Sequence, residues 1–319
     1  MTMMQFDRIS LGRQAKELGF VRDTFEKICR LVDVLSFIGS DTLLSDVLAL
    51  KGGTAINLTI FDLPRLSVDI DMDYSKDVPR EAMLQEREQI TDRIRKYMVA
   101  SGYNLSPKSK CYHALDSFVY EYVNAGGTKD HLKIEINYML RCHIFPVSHR
   151  TVVLPWSEDK YTVLSVEPME IFATKSVALM NRSAARDLYD MFNLQKYGVL
   201  DKSQEAAFKK CIIFYSAITS EKVPDHFEFK GIENITEQRI KTDLTPVLRR
   251  GEHFNLSTAK EQVEDYLKKI LIPEGNLSFW EHFKKGEYKP DLLFDDPGIL
   301  SRIVRHPMAQ WKCSRKNRG

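Results

Sequence analysis

Three aspartates recur at alternate positions in RLSVDIDMDY, at Asp69, Asp71 and Asp73, with Ile70 and Met72 between them and Val68 ahead. Side chains two apart in a strand share a face, so this spacing sets the carboxylates together and turns the apolar residues to the core. Crowded carboxylates repel one another. A divalent cation ordinarily makes such crowding favourable, and hard oxygen donors suit Mg2+ or Ca2+. An EF-hand loop also begins D-x-D-x-D, but it needs glycine at its sixth position and glutamate at its twelfth, where this chain has Tyr74 and Arg80. The plainer alternative is an acidic strand edge that discourages aggregation.

Just upstream, KGGTAINLTIF holds paired glycines. Gly52 and Gly53 leave backbone amides open to close approach by an anion, and Thr54 adds a hydroxyl at the start of a predicted short helix. Neither a GG pair nor a DxD is specific alone. Glycine turn, short helix and then DxD on a strand, in that order, points to phosphate beside metal-binding carboxylates, which is nucleotide chemistry.

KGGTAINL, RLSVDIDMDY and, later, KSVALMNRSAARDLYDMF resemble successive motifs of the AbiEii-type nucleotidyltransferases, the toxin halves of type IV toxin–antitoxin pairs in the polymerase β-like superfamily. The resemblance extends over nearly the whole chain, including GEYKPDLLF and HPMAQWK near its end. It implies that Gly53 and Thr54 face the triphosphate, with Lys51, Gly52, Arg65 and Ser67 also nucleotide-binding. It further implies that Asp69 and Asp71 are catalytic Mg2+ ligands. Asp73 lies beyond the family's second aspartate and is expected to support them. A Lys, an Arg and an R-D-x-x-D element complete the family's active site, and Lys175, Arg182, Arg186, Asp187 and Asp190 stand at those places. Lys175 and Asp190 are thereby implied as catalytic, Arg182 and Arg186 as nucleotide-binding.

A third carboxylate on a neighbouring strand can complete such a metal site and accept the proton of an attacking hydroxyl. In HLKIEINYML, alternation puts Leu132, Ile134, Ile136 and Tyr138 on one face and Lys133, Glu135 and Asn137 on the other, making Glu135 the candidate third metal ligand. The alternative is a Glu135 that faces water on an edge strand. If the segment from 175 is one continuous helix, Lys175, Arg182, Arg186 and Asp190 form a stripe. That stripe also fits a solvated face with ion pairs, and Ser183-Ala184-Ala185 offers a place to break.

The surrounding elements follow from periodicity. Residues 8–50 read as helices leading into the glycine turn, and 79–100 as an amphipathic helix that stops at Gly102. SFVYEYV at 117–123 and HLKIEINYML at 131–140 alternate as the arms of a hairpin, and YTVLSV at 161–166 is a further strand. Beyond it the chain turns helical to about Tyr197, with more helices predicted at 203–219, 235–250 and 258–271. The expected fold is α/β: a nucleotidyltransferase-like mixed β-sheet with flanking helices, then an α-helical C-terminal region closing over the catalytic face. The expected domains are 1–170 and 171–319.

Composition is that of an ordinary globular chain, and 46 Lys+Arg against 44 Asp+Glu argue neither for nor against nucleic acid. A basic stretch does run from Arg302 through Arg305, Lys312, Arg315 and Lys316 to Arg318, beside Trp311, and suits either RNA contact or a solvated tail. No apolar run approaches the roughly 20 residues of a membrane span, and the charged N-terminal stretch is unlike a signal peptide, so a cytoplasmic location is expected. Five scattered cysteines without a CxxC pair read as reduced thiols. Cys111 with His113, and Cys142 with His143, fit no standard zinc spacing.

Together these readings predict an Mg2+-dependent transfer of NMP from an NTP to an acceptor hydroxyl, with an RNA 3′ end such as that of tRNA as acceptor. An NTP substrate, RNA and a cognate antitoxin are the expected partners, without a membrane. The alternatives are a small-molecule or protein hydroxyl as acceptor, and an inactive nucleotide-binding module.

Overall fold

The computed structural model describes residues 6–272 and 277–316, with side chains through Ser314. The chain divides into two compact units, one of Met1–Arg141, Val147–Val166 and Pro246–Glu252, the other of Cys142–Pro146, Glu167–Thr245 and His253–Gly319.

The first unit is built on a mixed sheet. Three helices, α1 (Arg8–Glu17), α2 (Arg22–Ser40) and α3 (Leu44–Val47), precede strand β1 (Leu48–Lys51). The glycine turn forms a single helical turn, α4 (Gly52–Ala55), that widens into a π-helical turn over Ile56–Ile60 before β2 (Asp69–Tyr74). Helix α5 (Arg80–Ala100) follows, then β3 (Asn104–Leu105), β4 (Lys110–Cys111), β5 (Leu115–Val123), β6 (Lys129–Asn137), β7 (Ser148–Val152) and β8 (Tyr161–Ser165). The strands lie in the order β3-β5-β6-β2-β1-β8-β7, with β4 also on β5. β2 runs antiparallel to β1 and parallel to β6. The apolar faces of α2 and of the central strands close the core: Phe25, Ile28, Leu31 and Leu35 are buried, as are Ile70, Met72, Ile134 and Ile136.

The second unit is helical: α6 (Pro168–Arg182), α7 (Ala185–Lys196), α8 (Glu205–Thr219), α9 (Lys230–Glu233), α10 (Glu237–Arg239), α11 (Leu256–Leu271), α12 (Ser278–Lys284), α13 (Pro297–Ile303) and α14 (Pro307–Lys316). Its core gathers on α8, where Phe214 meets Phe279, Phe294 and His306, and the buried Trp280 indole donates to the Ile213 carbonyl at 2.8 Å. A mixed sheet with flanking helices and a helical C-terminal region is the fold class that the sequence elements and the family resemblance together led us to expect.

Four local expectations change. Residues 48–51 form a central strand where the sequence reads as helix, because Leu48-Ala49-Leu50 is a short run buried throughout, which periodicity cannot assign. The polar edge strand β7 gave no apolar alternation to detect. The stretch 235–250 is not one helix. It breaks into α10, a π turn over Ile240–Leu244 and a 3-10 turn over Thr245–Val247 holding Pro246, which cannot continue a helical ladder. The helix from 168 breaks at Ser183, whose left-handed φ of 52° ends α6 before α7 begins.

Two cations of the basic C-terminal stretch are engaged by the fold. Arg302 donates to the Ile144 carbonyl at 2.9 and 2.8 Å, and Lys312 donates to the carbonyls of Ala217 and Ser220. Those two cations cap backbone rather than wait for phosphate. The side chains of Arg315, Lys316 and Arg318 lie outside the described residues.

Candidate active site

Asp69, Asp71 and Asp73 project from the same face of β2, while Ile70, Met72 and Tyr74 are fully buried on the other. Parallel pairing sets Asp69 opposite Lys133, Asp71 opposite Glu135 and Asp73 opposite Asn137 on β6. Glu135 therefore stands beside the DxD on an interior strand, which removes the edge-strand alternative. Its carboxylate is 2.9 Å from the Lys133 ammonium, and both side chains are about one-third exposed, at 27% and 35%. Burial alone would lower the Lys133 pKa. The hydrogen bond and charge of Glu135, joined by the charges of Asp69 and Asp71, outweigh it and raise the value above that of an ordinary lysine.

Asp73 is 4% exposed and ion-paired with Lys51, which ends β1. Antiparallel register places Lys51 opposite Asp71, so the Asp73 contact is a diagonal across the same face. Asp73 thus fixes the lysine at the mouth of the glycine turn.

Gly52 has a φ of +68°, and a Cβ there would sit 2.8 Å from the Asp71 Oδ2. Only glycine lets the turn lie against that carboxylate. A Cβ on Gly53 would meet the Arg65 guanidinium at 2.7 Å and the Ser67 hydroxyl at 2.9 Å. The Thr54 hydroxyl is wholly buried, donates to the Asp69 carbonyl and lies 3.0 Å from the Ser67 hydroxyl. The group ties the turn to the start of β2. Arg65 is likewise buried, at 1% exposure, donating to the Leu66 carbonyl at 3.0 Å. Its guanidinium braces the turn from within.

Among the described residues no three His, Cys, Asp or Glu side chains converge as a ready metal cluster. The donor set of Asp69, Asp71 and Glu135 nevertheless fits a hard divalent cation, since carboxylate oxygens on adjacent strands are what such an ion takes, and a lysine already supplies positive charge there. None of the five cysteines is in a disulfide.

In the second unit, the Lys175 ammonium lies 2.8 Å from Asp187 and 2.7 Å from Asp190, all three side chains at most 10% exposed. Arg182 joins the cluster through Asp187 at 2.9 Å, and Arg186 donates to the Asp243 carbonyl at 2.8 Å. Desolvation alone would raise the Asp187 pKa; the charges of Lys175 and Arg182 and their hydrogen bonds hold it below the usual carboxylate range. The break at Ser183 does not scatter these residues, because a left-handed residue folds α7 back so that Asp187 and Asp190 reach Lys175.

A protein-family model described as nucleotidyl transferase AbiEii toxin, type IV toxin–antitoxin system, matches residues 37–276, three-quarters of the chain. The chain belongs to the AbiEii nucleotidyltransferase toxin family. Membership makes it a nucleotidyltransferase and brings a nucleotide substrate and an antitoxin partner. Among solved structures, MenT4, a nucleotidyltransferase toxin from Mycobacterium tuberculosis H37Rv, superposes with a TM-score of 0.63 over 98% of this chain and 99% of that one, at 15% identity. At that identity the likeness shows the fold. CdnC from E. coli MS115-1, solved with ATP, matches at a TM-score of 0.24 and 17% identity, over 83% of this chain and 91% of its own. No curated protein sequence matches. No helix among the described residues of this AbiEii-family enzyme is long and apolar enough to cross a membrane.

Sequence reasoning missed two contributors. Lys133 was legible as a member of the Glu135 face but not as its partner. Asn57, wholly buried, donates to the Gly53 carbonyl at 2.7 Å and so fixes the glycine peptide; its spacing of four from Gly53 on a short helix was the available signal.

Proposed function

We propose that this enzyme moves NMP from an NTP to an RNA 3′ hydroxyl, such as that of a tRNA, with Mg2+ as cofactor. The observation that carries the reading is Gly52: its backbone runs against the Asp71 carboxylate, so that an anion-binding turn and a metal-binding face share one location. Asp69, Asp71 and Glu135 are the residues that would hold Mg2+, which when bound polarises the phosphoryl oxygens and offsets the charge of the departing pyrophosphate. Backbone amides at Gly52 and Gly53 receive phosphate oxygens, and Lys51, held in place by Asp73, stands at the same turn. The acceptor oxygen attacks the α-phosphorus, the bond to pyrophosphate breaks, and a carboxylate of the β2–β6 face takes the hydroxyl proton. The family motif gives Lys175, Arg182 and Arg186 the task of neutralising charge developing on the pyrophosphate, with Asp190 paired to the Lys175 ammonium.

The test is incubation of the purified protein with each labelled NTP and total RNA. Label on RNA that requires Mg2+ and disappears with Asp71→Ala is the expected result. Label on a small hydroxyl compound, with RNA untouched, would replace the RNA acceptor.

A further inference from the structure

We infer that Lys133 is the resident counter-ion of the carboxylate face, bound to Glu135 while the site holds no metal and displaced when a divalent cation enters. The inference rests on the reading of Asp69, Asp71 and Glu135 as metal ligands and adds a residue that reading does not contain. Lys133 is directly opposite Asp69, two residues before Glu135 and on its face, and its ammonium is 2.9 Å from the Glu135 carboxylate. Glu135 in turn is directly opposite Asp71. The ammonium is thus bound to one of the three carboxylates that two neighbouring strands carry on this face, the one that pairs across from Asp71.

Both partners are partly open to water, at 35% and 27% exposure. An ion pair in that setting is weak, and a long lysine stem can swing its ammonium aside without moving the strand. A divalent ion brings twice the charge and shorter contacts to the same oxygens. The exchange balances as ammonium out and cation in, with no bond made or broken. Its consequence is a toll on metal binding: cation and lysine cannot both use Glu135, so metal enters weakly until a nucleotide's phosphates arrive to help hold it. The displaced ammonium is then free to meet those phosphates.

The experiment measures Mn2+ binding directly, from the electron paramagnetic resonance of the free ion, on full-length protein without nucleotide. Lys133→Met keeps the aliphatic stem and removes the charge; it is expected to bind Mn2+ about tenfold or more tightly than wild type, because a charge a few ångströms away no longer opposes the ion. Lys133→Arg, which keeps the charge, is expected to stay near wild type. Thermal melts of metal-free protein confirm that the variants fold. If wild type and Lys133→Met bind Mn2+ equally and Asp69→Asn abolishes it in both, the metal site stands and the counter-ion role is overturned. If wild type binds no Mn2+ even with nucleotide, the metal reading itself falls and this inference with it.

Discussion

Lys133 in the first unit and Lys175 in the second both sit among carboxylates, but in different media. The Lys133–Glu135 pair is about one-third exposed. Lys175, by contrast, is held between Asp187 and Asp190 with its partners at 3% and 1% exposure. In water-rich surroundings an ion pair contributes about 0–1 kcal/mol and can be exchanged. In a dry cluster, removing one partner strands the others and costs about 3–5 kcal/mol. The same chemical motif therefore serves as a replaceable charge in one unit and as a fixed brace in the other. A lysine's proximity to aspartates does not by itself reveal which.

Replacing a carboxylate of the exchangeable face should have the largest effect on activity and little on the fold. Asp69→Ala and Asp71→Ala are each expected to reduce transfer by about a thousandfold or more, on the usual scale of losing a charge-stabilising group, with an unchanged circular-dichroism spectrum and a melting temperature near wild type. Retention of a tenth of the activity by either variant would remove these residues from the chemistry.

In the dry cluster the damage should fall on stability instead. Lys175→Met leaves Asp187 and Asp190 buried beside one another, so urea unfolding should show a loss of about 3–5 kcal/mol, along with weaker nucleotide binding. A loss under about 1 kcal/mol would place the cluster with exposed pairs and collapse the contrast.

Acid sharpens the difference further. The Asp187 pKa is depressed in the folded protein below its ordinary 3.8, so the unfolded chain takes up the proton more readily than the folded one. Its stabilisation is complete above about pH 5 and is lost as pH falls through the unfolded value toward the folded one. Plotted against pH, the stability difference between wild type and Asp187→Asn should be flat from pH 7 to 5 and shrink below it. A difference that stays constant down to pH 3 would show that the charge of Asp187 is not what the cluster uses.

The smallest expected change belongs to Lys133→Met, which should alter metal-free stability by no more than about 1 kcal/mol. A larger loss would mean that the exposed pair is as fixed as the buried one.

Much of this contrast is legible in the order of the residues, and the reasons for the rest are physical. Strand alternation alone places Asp69, Asp71 and Glu135 on solvent-side faces, because a register slip would bury the whole acidic set. The hairpin of β5 and β6 reads clearly for the same reason. Burial of polar side chains is not legible: Thr54 and Arg65 have the residue types of a phosphate site, and only their depth shows that they brace the turn. Nor can spacing tell how Ser183 turns the chain, since a left-handed serine is uncommon and nothing in the local sequence requires it. The same limit hides β1, an apolar run too short to have a period of its own.

The segment Pro246–Glu252 completes the first unit from far down the chain. Leu66 donates to the Val247 carbonyl at 2.8 Å, Arg65 bridges Leu248, and Arg249 reaches the carbonyls of Asp62 and Leu63, the last across 186 residues. These bonds fasten the loop that carries Arg65 and Ser67 behind the glycine turn. At about 5–20 residues per second, translation would take roughly 10–40 s to supply the fastener after the loop has been made. During that interval the nascent toxin carries the loop that leads into its aspartate strand without its clasp. The ribosome that makes the protein would therefore have built most of the chain before the loop behind the glycine turn could be fastened.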